Sequence, residues 1–383
     1  MAGVSRRDVL AAGALAAAGF AGVLPSPVHA QPAWNEPPNG LSASAREAVA
    51  ALAEGFLRAH GIAGLSIAAG RNGRIVHARG FGVADAATGA PVTPAHLFRI
   101  ADVSKPFTAV LVFALIEQGR LRRSDRVCGE GGILQDDFGH ALRDPRAAAI
   151  TVEHLLTHTA GGWAADADDP MRRQPSLDQN GLVAWTLANV PLTAAPGTAF
   201  AYSHFGYCLL GRVIEKVMHQ YYATAMRDLV FHRCGIADMR IAGSTAALRA
   251  PTEVAYGGPD DGAYGIDVAR MDAAAGWIAS AGDLVRFAMG VDGAHVPPLL
   301  RRPTLMAMTA PLDLRRSYAR GFEIADRDWR HFGSLPGTSA VLVRTPAGLC
   351  YAALANGRNS RTDSVAGIAR MMREMVAAAK GFA

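Results

Sequence analysis

An aspartate and a lysine three residues apart are the pair in this chain best placed to do chemistry. Asp102 and Lys105 lie in the run FRIADVSKPFTA, residues 98–109. A spacing of three places both side chains on one face of a helix. The lysine is conspicuous because all but two of the other basic residues, Lys216 and Lys380, are arginines. A lone amine beside a carboxylate in an apolar segment is a candidate charge-pairing or acid–base site.

The segment that follows Lys105 is predicted to be a buried helix that holds this pair. Its apolar residues recur at the three- and four-residue helical period: Phe107, Val110, Leu111, Ala114 and Leu115. Ser104 lies two residues from Asp102, so we expect its side chain to point about 200° around the helix. Ser104 is therefore not expected to take part in the site that Lys105 faces.

Two later stretches supply further candidate residues. The run FAYSHFGY, residues 200–207, contains Tyr202 and His204, and the run HFGSLPGT begins with His331 and contains Gly333. A phenol and two imidazoles are groups that can accept or donate protons near neutral pH when a neighbouring charge shifts their pKa values.

The three stretches together resemble the serine β-lactamase, penicillin-binding-protein and related esterase superfamily. Its motifs are S-x-x-K at a helix start, Y-x-N, and K-T-G or H-x-G on a strand. Lys105, Tyr202 and the H-x-G motif match the family pattern. Asp102 stands where the family has its nucleophilic serine, and His204 stands where it has asparagine.

The resemblance implies a role for each of these positions. Tyr202 would be the proton acceptor, with its pKa lowered by Lys105, but the carboxylate of Asp102 is expected to offset that charge and keep the phenol protonated. The backbone N–H groups of Ser334 and residue 102 would form an oxyanion hole. Gly333 would let a substrate's backbone approach the strand.

The resemblance also implies the fold, because phrases such as LLTHTAGG at 155–162 extend it over nearly the whole chain after residue 40. We expect an α/β (α+β) protein of the β-lactamase/transpeptidase-like fold. An antiparallel sheet flanked by helices, from about 41–95 and 270–380, would carry an inserted, mostly helical region over about 96–269. The residues themselves predict one hairpin, in which an Asn-Gly turn joins two apolar runs between residues 65 and 78.

Residues 1–30 are predicted to be a twin-arginine export signal. Ser5-Arg6-Arg7-Asp8 precedes the apolar run 10–24, and Val28-His29-Ala30 ends in small residues. Fifteen Gly- and Ala-rich residues fall short of the roughly 20 that a membrane span needs, so no stable membrane anchor is expected. The Pro- and Asn-rich residues 31–40 are predicted to be a linker, leaving a domain over 41–380 that is periplasmic or secreted.

Composition excludes several classes of protein. Half of the residues are apolar and 19% are charged, as in one large globular unit. The net charge of +5 comes from scattered arginines, so no nucleic-acid partner is expected. The four cysteines allow three disulfide pairings, but their apolar surroundings favour buried free thiols. No zinc-ligand spacing occurs, so neither a metal nor another cofactor is predicted. The expected partner is a small-molecule or peptide ligand in the family cleft.

Three functional hypotheses follow from the aspartate. A carboxylate is a weak nucleophile, and its attack on an acyl carbon would give a mixed anhydride. The protein could therefore be a hydrolase homologue that has lost catalysis and binds a ligand of the β-lactam, D-Ala peptide or small-ester class. Alternatively, Asp102 could act as a general base on water, with Lys105 or His331 stabilising the developing charge. The third hypothesis is a cloning or sequence change in an ordinary hydrolase, which needs a double base change because aspartate and serine codons differ at two positions.

Overall fold

The computed structural model describes residues 41–139, 141–260, 262–293, 298–315, 317–380 and 382. The predicted export signal over 1–30 and the linker over 31–40 lie outside these residues. Within the described ranges, no helix combines the length and the apolar character needed to cross a bilayer.

Ten strands form two sheets in the part of the chain that the structure describes. They are β1 (Gly64–Arg71), β2 (Arg74–Asp85), β3 (Ala90–Pro91), β4 (Phe98–Arg99), β5 (Arg240–Ile241), β6 (Trp277–Ala279), β7 (Glu323–Ala325), β8 (Asp328–Leu335), β9 (Thr338–Arg344) and β10 (Cys350–Ala355). The larger sheet has the order β3-β2-β1-β10-β9-β8-β7, and all its neighbouring strands are antiparallel. The smaller sheet has the order β4-β6-β5.

Eleven α-helices accompany the sheets in the described residues. They are α1 (Ala43–His60), α2 (Ser104–Glu117), α3 (Val152–Leu156), α4 (Gln179–Asn189), α5 (His204–Met218), α6 (Tyr222–Met226), α7 (His232–Cys234), α8 (Asp272–Ala275), α9 (Ala281–Asp292), α10 (Arg302–Thr309) and α11 (Ser364–Ala378). A single π-helical turn, Arg227–Phe231, joins α6 to α7.

The large sheet is covered on both faces because its central strands are apolar on both sides. In β1, Leu65 and Ile67 join one core with α1 and α11, whereas Ala68 joins a second core with α2, α5 and α9. The same alternation occurs in β9, where Val341 faces the first core and Leu342 the second. The predicted α+β class, an antiparallel sheet flanked by helices, is confirmed.

Local sequence signals explain where the first elements begin and end. Ser42 caps α1 by accepting a hydrogen bond from the backbone N–H of Ala45, and Gly61 ends the helix in the left-handed conformation. Asn72 and Gly73 make the turn between β1 and β2, both with positive φ. The predicted hairpin is confirmed, with β2 continuing to residue 85.

The small sheet connects the large sheet to the helical region. Its central strand β6 pairs with β4 through Phe98–Ala279 and Arg99–Ile278. β4 leads into a 3₁₀ turn, Ala101–Val103, and then into α2, which is buried all round from Ser104 to Leu115. The buried helix predicted after Lys105 is therefore confirmed, and it starts beside two sheets.

All four cysteines are buried free thiols, as predicted from their apolar surroundings. Burial raises the pKa of the Cys234 thiol to about 12, so this group stays protonated at neutral pH.

Gly333 on β8 is needed where the sheet meets the turn before Asp102. A Cβ atom at this position would overlap the carbonyl oxygen of Ile100 and crowd Ala340. The close approach of the two backbones therefore explains the glycine without any bound substrate, a reason that the sequence motif does not indicate.

We expect Gly333→Ala to lower the free energy of unfolding by about 2 kcal/mol or more, because both colliding groups are backbone or core atoms. The urea midpoint of purified protein measures this. Gly55→Ala is the matched control, because Gly55 lies within α1 with open space around its Cβ position and should be neutral or gain up to about 1 kcal/mol. Equal midpoints for the two variants would contradict the assigned role of Gly333.

Candidate active site

The turn between β4 and α2 sets the position of Asp102. Ala101 has a φ of +48°, which is unusual for a residue with a side chain. The next residue, Asp102, is only 8% exposed and lies beside the first turn of α2. Such a conformation persists only where surrounding contacts impose it, here the packing of Ile100 against β8.

Lys105 is fully buried and pairs with Asp102. Its Nζ atom lies 2.5 Å from Asp102 Oδ1 and donates a second hydrogen bond, of 3.2 Å, to the carbonyl oxygen of Ala274 in α8. The ring centroids of Tyr202 and Tyr207 lie 4.7 and 5.7 Å from the same atom. The amine is thus enclosed by one anion, one carbonyl and two aromatic faces.

His204 links Asp102 to a second buried carboxylate. Its Nε2 lies 2.8 Å from Asp102 Oδ1, and its Nδ1 lies 2.6 Å from Asp169 Oδ2. Asp169 also caps the 3₁₀ turn Pro170–Arg172, where its other oxygen accepts the backbone N–H of Met171. Because both ring nitrogens face carboxylates, the imidazole donates from both and carries a positive charge.

The pKa values of Asp102 and His204 shift in opposite directions. Burial by itself raises the pKa of Asp102, but the charges of Lys105 and His204 and their hydrogen bonds outweigh it, so the pKa lies well below its ordinary range. Burial and Lys105 lower the pKa of His204, but Asp102 and the hydrogen bonds to both carboxylates raise it by more. Both shifts therefore favour the ionic form of the pair.

Tyr202 and His331 complete the cluster as neutral groups. The Tyr202 hydroxyl lies 3.4 Å from Asp102 Oδ1 and 3.5 Å from His331 Nε2, both long contacts. Burial and then Asp102 raise the pKa of Tyr202 well above its ordinary value. This agrees with the expectation that the carboxylate keeps the phenol protonated. Burial and then Lys105 lower the pKa of His331 to about 4.

The tautomer of His331 follows from its backbone contact. Its Nδ1 lies 2.9 Å from the carbonyl oxygen of Phe332, and a carbonyl can only accept, so Nδ1 carries the proton and Nε2 is a bare acceptor. The side chain of His331 is buried in β8.

His158 is a positioning residue that sequence reasoning did not identify. Its carbonyl oxygen accepts the N–H of Ala201 at 2.8 Å, and its Nδ1 accepts the N–H of Ser203 at 3.1 Å. The imidazole ring lies 4.3 Å from the Tyr202 ring and bonds the Tyr318 hydroxyl through Nε2. His158 thus holds both backbone neighbours of Tyr202. The phrase LLTHTAGG contains it, and that phrase is the only signal in the sequence.

The structure brings five of the seven predicted site residues into one cluster, namely Asp102, Lys105, Tyr202, His204 and His331. Gly333 and Ser334 follow on β8, where the Ser334 hydroxyl accepts a 3.5 Å hydrogen bond from Arg358. The assignment of Ser334 to an oxyanion hole stays a prediction.

No serine or threonine hydroxyl in the described ranges accepts a hydrogen bond from Lys105. Ser104 is buried and its hydroxyl oxygen receives the backbone N–H of Trp277 at 3.4 Å, in agreement with its expected direction. The Ser203 hydroxyl caps α5 by accepting a hydrogen bond from the backbone N–H of Gly206. The groups next to the amine are therefore the Asp102 carboxylate, the Ala274 carbonyl oxygen and the rings of Tyr202 and Tyr207.

The fold and the clustered motifs define a protein of the β-lactamase-type hydrolase superfamily. The chain matches the family model described as Beta-lactamase over residues 49–372, and it belongs to that family. The chain spans about half the length of the curated relatives it matches. One of them, esterase EstB of Burkholderia gladioli, is 32% identical over 195 residues, which are 48% of each protein.

Solved structures share the fold. SurE is 27% identical, with a TM-score of 0.68 over 88% of this chain and 76% of SurE. The D-amino acid amidase of Ochrobactrum anthropi SV3, in complex with L-phenylalanine amide, has a TM-score of 0.71 over 88% of this chain and 98% of the amidase. At 21% identity, the likeness to the amidase concerns the fold alone.

We expect Asp102→Ala to lower the free energy of unfolding by about 3–5 kcal/mol, because Lys105 and His204 would keep buried charges without their shared anion. Urea unfolding measures the loss. Adding Lys105→Met to this variant should recover part of it. Asp168→Ala is the control, because Asp168 makes an exposed ion pair with Arg173 that should contribute within about 0.5 kcal/mol. A loss no larger than that of the control would contradict the pairing.

The raised pKa of His204 predicts a specific pH dependence. The imidazolium contributes stability that is fully present below the unfolded pKa of about 6.5 and is lost as pH rises through the folded value. In His204→Asn this loss should disappear, so the native protein and the variant should converge in stability as pH rises above about 6.5. Urea unfolding over that range tests this, with His219→Asn, an exposed position at the other end of α5, as the control.

Proposed function

We propose that this protein binds a ligand in the cleft of its family without forming an acyl-enzyme. Asp102 stands where the sequence resemblance places the nucleophilic serine. The observation that carries the proposal is that one oxygen of Asp102 accepts short hydrogen bonds from both Lys105 and His204. A carboxylate whose charge is shared with two cations is a weak nucleophile toward a carbonyl carbon.

The site lacks a strong base as well as a strong nucleophile. A general base works best when its pKa is near the working pH, whereas the pKa of Asp102 lies far below it and that of His331 is about 4. Tyr202 has a raised pKa and remains a phenol. These directions favour ligand binding over hydrolysis with Asp102 as the general base, which is the second candidate function.

The surroundings of Asp102 also count against an accidental sequence change. His204 points one nitrogen at Asp102 and the other at Asp169, both within 2.8 Å. A serine at position 102 would present no charge to this imidazolium. Asp102 and His204, the two departures from the family motifs, form one ion pair, and this supports a site built around the aspartate.

The ligand class and the cellular location are part of the proposal. Relatives are named esterase, penicillin-binding protein and β-lactamase. These names support a ligand of the β-lactam, D-Ala peptide or small-ester class. The paired arginines and the apolar run within residues 1–30 support twin-arginine export to the periplasm or medium.

The decisive experiment measures hydrolysis of a chromogenic cephalosporin and of a nitrophenyl acetate. The native protein and Asp102→Ala should show no turnover above background, and intact-protein mass spectrometry should find no acyl adduct. We expect the double variant Asp102→Ser/His204→Asn to gain turnover and to exceed Asp102→Ser alone by about tenfold, because a cationic His204 opposes proton removal by Lys105 in the single variant.

Asp313→Ser, which makes the same change on an exposed loop, is the matched control and should stay inactive. Turnover by the native protein that disappears in Asp102→Ala would establish altered catalysis instead. A covalent adduct on the native protein would overturn the proposal directly.

A further inference from the structure

We propose that the cleft recognises a primary ammonium group, which binds Asp102 Oδ2, His331 Nε2 and the Tyr202 hydroxyl oxygen. This inference rests on the proposed function, because a site that binds without acylating has no need to present donors to an oxyanion. It names the chemistry of the ligand group that would lie against Asp102.

The two oxygens of Asp102 have different roles. The three hydrogen bonds that the described residues donate to this carboxylate, from Lys105, His204 and Tyr202, all reach Oδ1. Oδ2 accepts no hydrogen bond from the described residues. It is not fully buried either, so solvent reaches it. The side chain is 12% exposed, and Oδ2 is therefore the open edge of a largely buried carboxylate.

The two positive charges of the cluster bond the other oxygen of Asp102. Lys105 is fully buried, with its amine on Asp102 Oδ1 and the Ala274 carbonyl oxygen. Both N–H groups of His204 donate to carboxylates, one to Asp102 and one to Asp169. Two cations and two carboxylates balance one another inside, and neither cation bonds Oδ2, the oxygen that a ligand would meet.

The neighbouring polar atoms are also acceptors. His331 Nε2 is bare because Nδ1 donates to the Phe332 carbonyl oxygen. The single proton of Tyr202 serves two long contacts, of 3.4 and 3.5 Å, which leaves the lone pairs of the phenol oxygen available. A primary ammonium carries three N–H donors and matches three acceptors grouped around one phenol oxygen.

The same arrangement disfavours the opposite ligand. A carboxylate placed here would meet the charge of Asp102 and two acceptors, with no donor other than the shared Tyr202 proton. A quaternary ammonium would satisfy the charge but leave every acceptor without a hydrogen bond. Comparing the affinities for a primary and a quaternary ammonium therefore tests the role of the hydrogen-bond acceptors. Comparing the affinities for a primary ammonium and an alcohol tests the role of the charge.

Isothermal titration of the native protein with four probes that share one phenyl ring tests the inference. The probes are benzylammonium, benzyl alcohol, benzyltrimethylammonium and phenylacetate. We expect benzylammonium to bind about tenfold or more tightly than each of the others, the gain typical of a charge-assisted hydrogen bond. Because the comparison changes only the ligand, it does not depend on a variant that folds.

Asp102→Asn keeps the shape of the side chain and removes its charge, and it should abolish the preference for benzylammonium. Asp313→Asn, on an exposed loop, should leave the preference unchanged. Equal affinity for benzylammonium and benzyl alcohol, no binding of benzylammonium, or a preference that survives Asp102→Asn would each overturn the inference. These results are distinct from failure of the proposed function, which would appear as turnover or as an acyl adduct on the native protein.

Discussion

One carboxylate oxygen, Oδ1 of Asp102, connects the helical elements that carry the candidate site residues. It accepts hydrogen bonds from Lys105 at the start of α2 and from His204 at the start of α5, and His204 extends the contact to Asp169 in the loop before α4. Helical elements far apart in sequence therefore meet at a single atom. The network alternates positive and negative groups, so every buried charge has an opposite charge as its nearest partner.

This alternation changes what the family scaffold can do. A nucleophilic hydroxyl must be neutral at rest and become negative during attack, which requires neighbouring groups that can take up a proton. Here the negative charge is permanent, and Lys105 and His204 hold it in place. Under the proposed function, contacts that could stabilise a reacting oxygen instead keep a buried carboxylate ionised. Under the proposed function, the scaffold serves recognition in place of acyl transfer.

Much of the fold and part of the site could be predicted from the sequence, each for a physical reason. The spacing of Asp102 and Lys105 predicted that their side chains lie on the same side of a helix start. The Asn-Gly turn predicted the first hairpin. Asp169 was not identified, because a loop residue 35 positions before His204 approaches it only through tertiary folding. His158 was missed because its role is to bond backbone groups, which leaves no pattern of residue types. The short strands β4, β5 and β6 are too brief for any periodicity to be visible.

The sheet order has a consequence for how the chain reaches its native state. β1 and β10 are hydrogen-bonded neighbours at the centre of the sheet, and the backbone N–H of Gly64 bonds the side chain of Asn356, 292 positions away. During synthesis one edge of the first hairpin must therefore stay unpaired until β10 (Cys350–Ala355) has emerged. Such high contact order predicts slow folding and makes the early hairpin a natural binding site for chaperones.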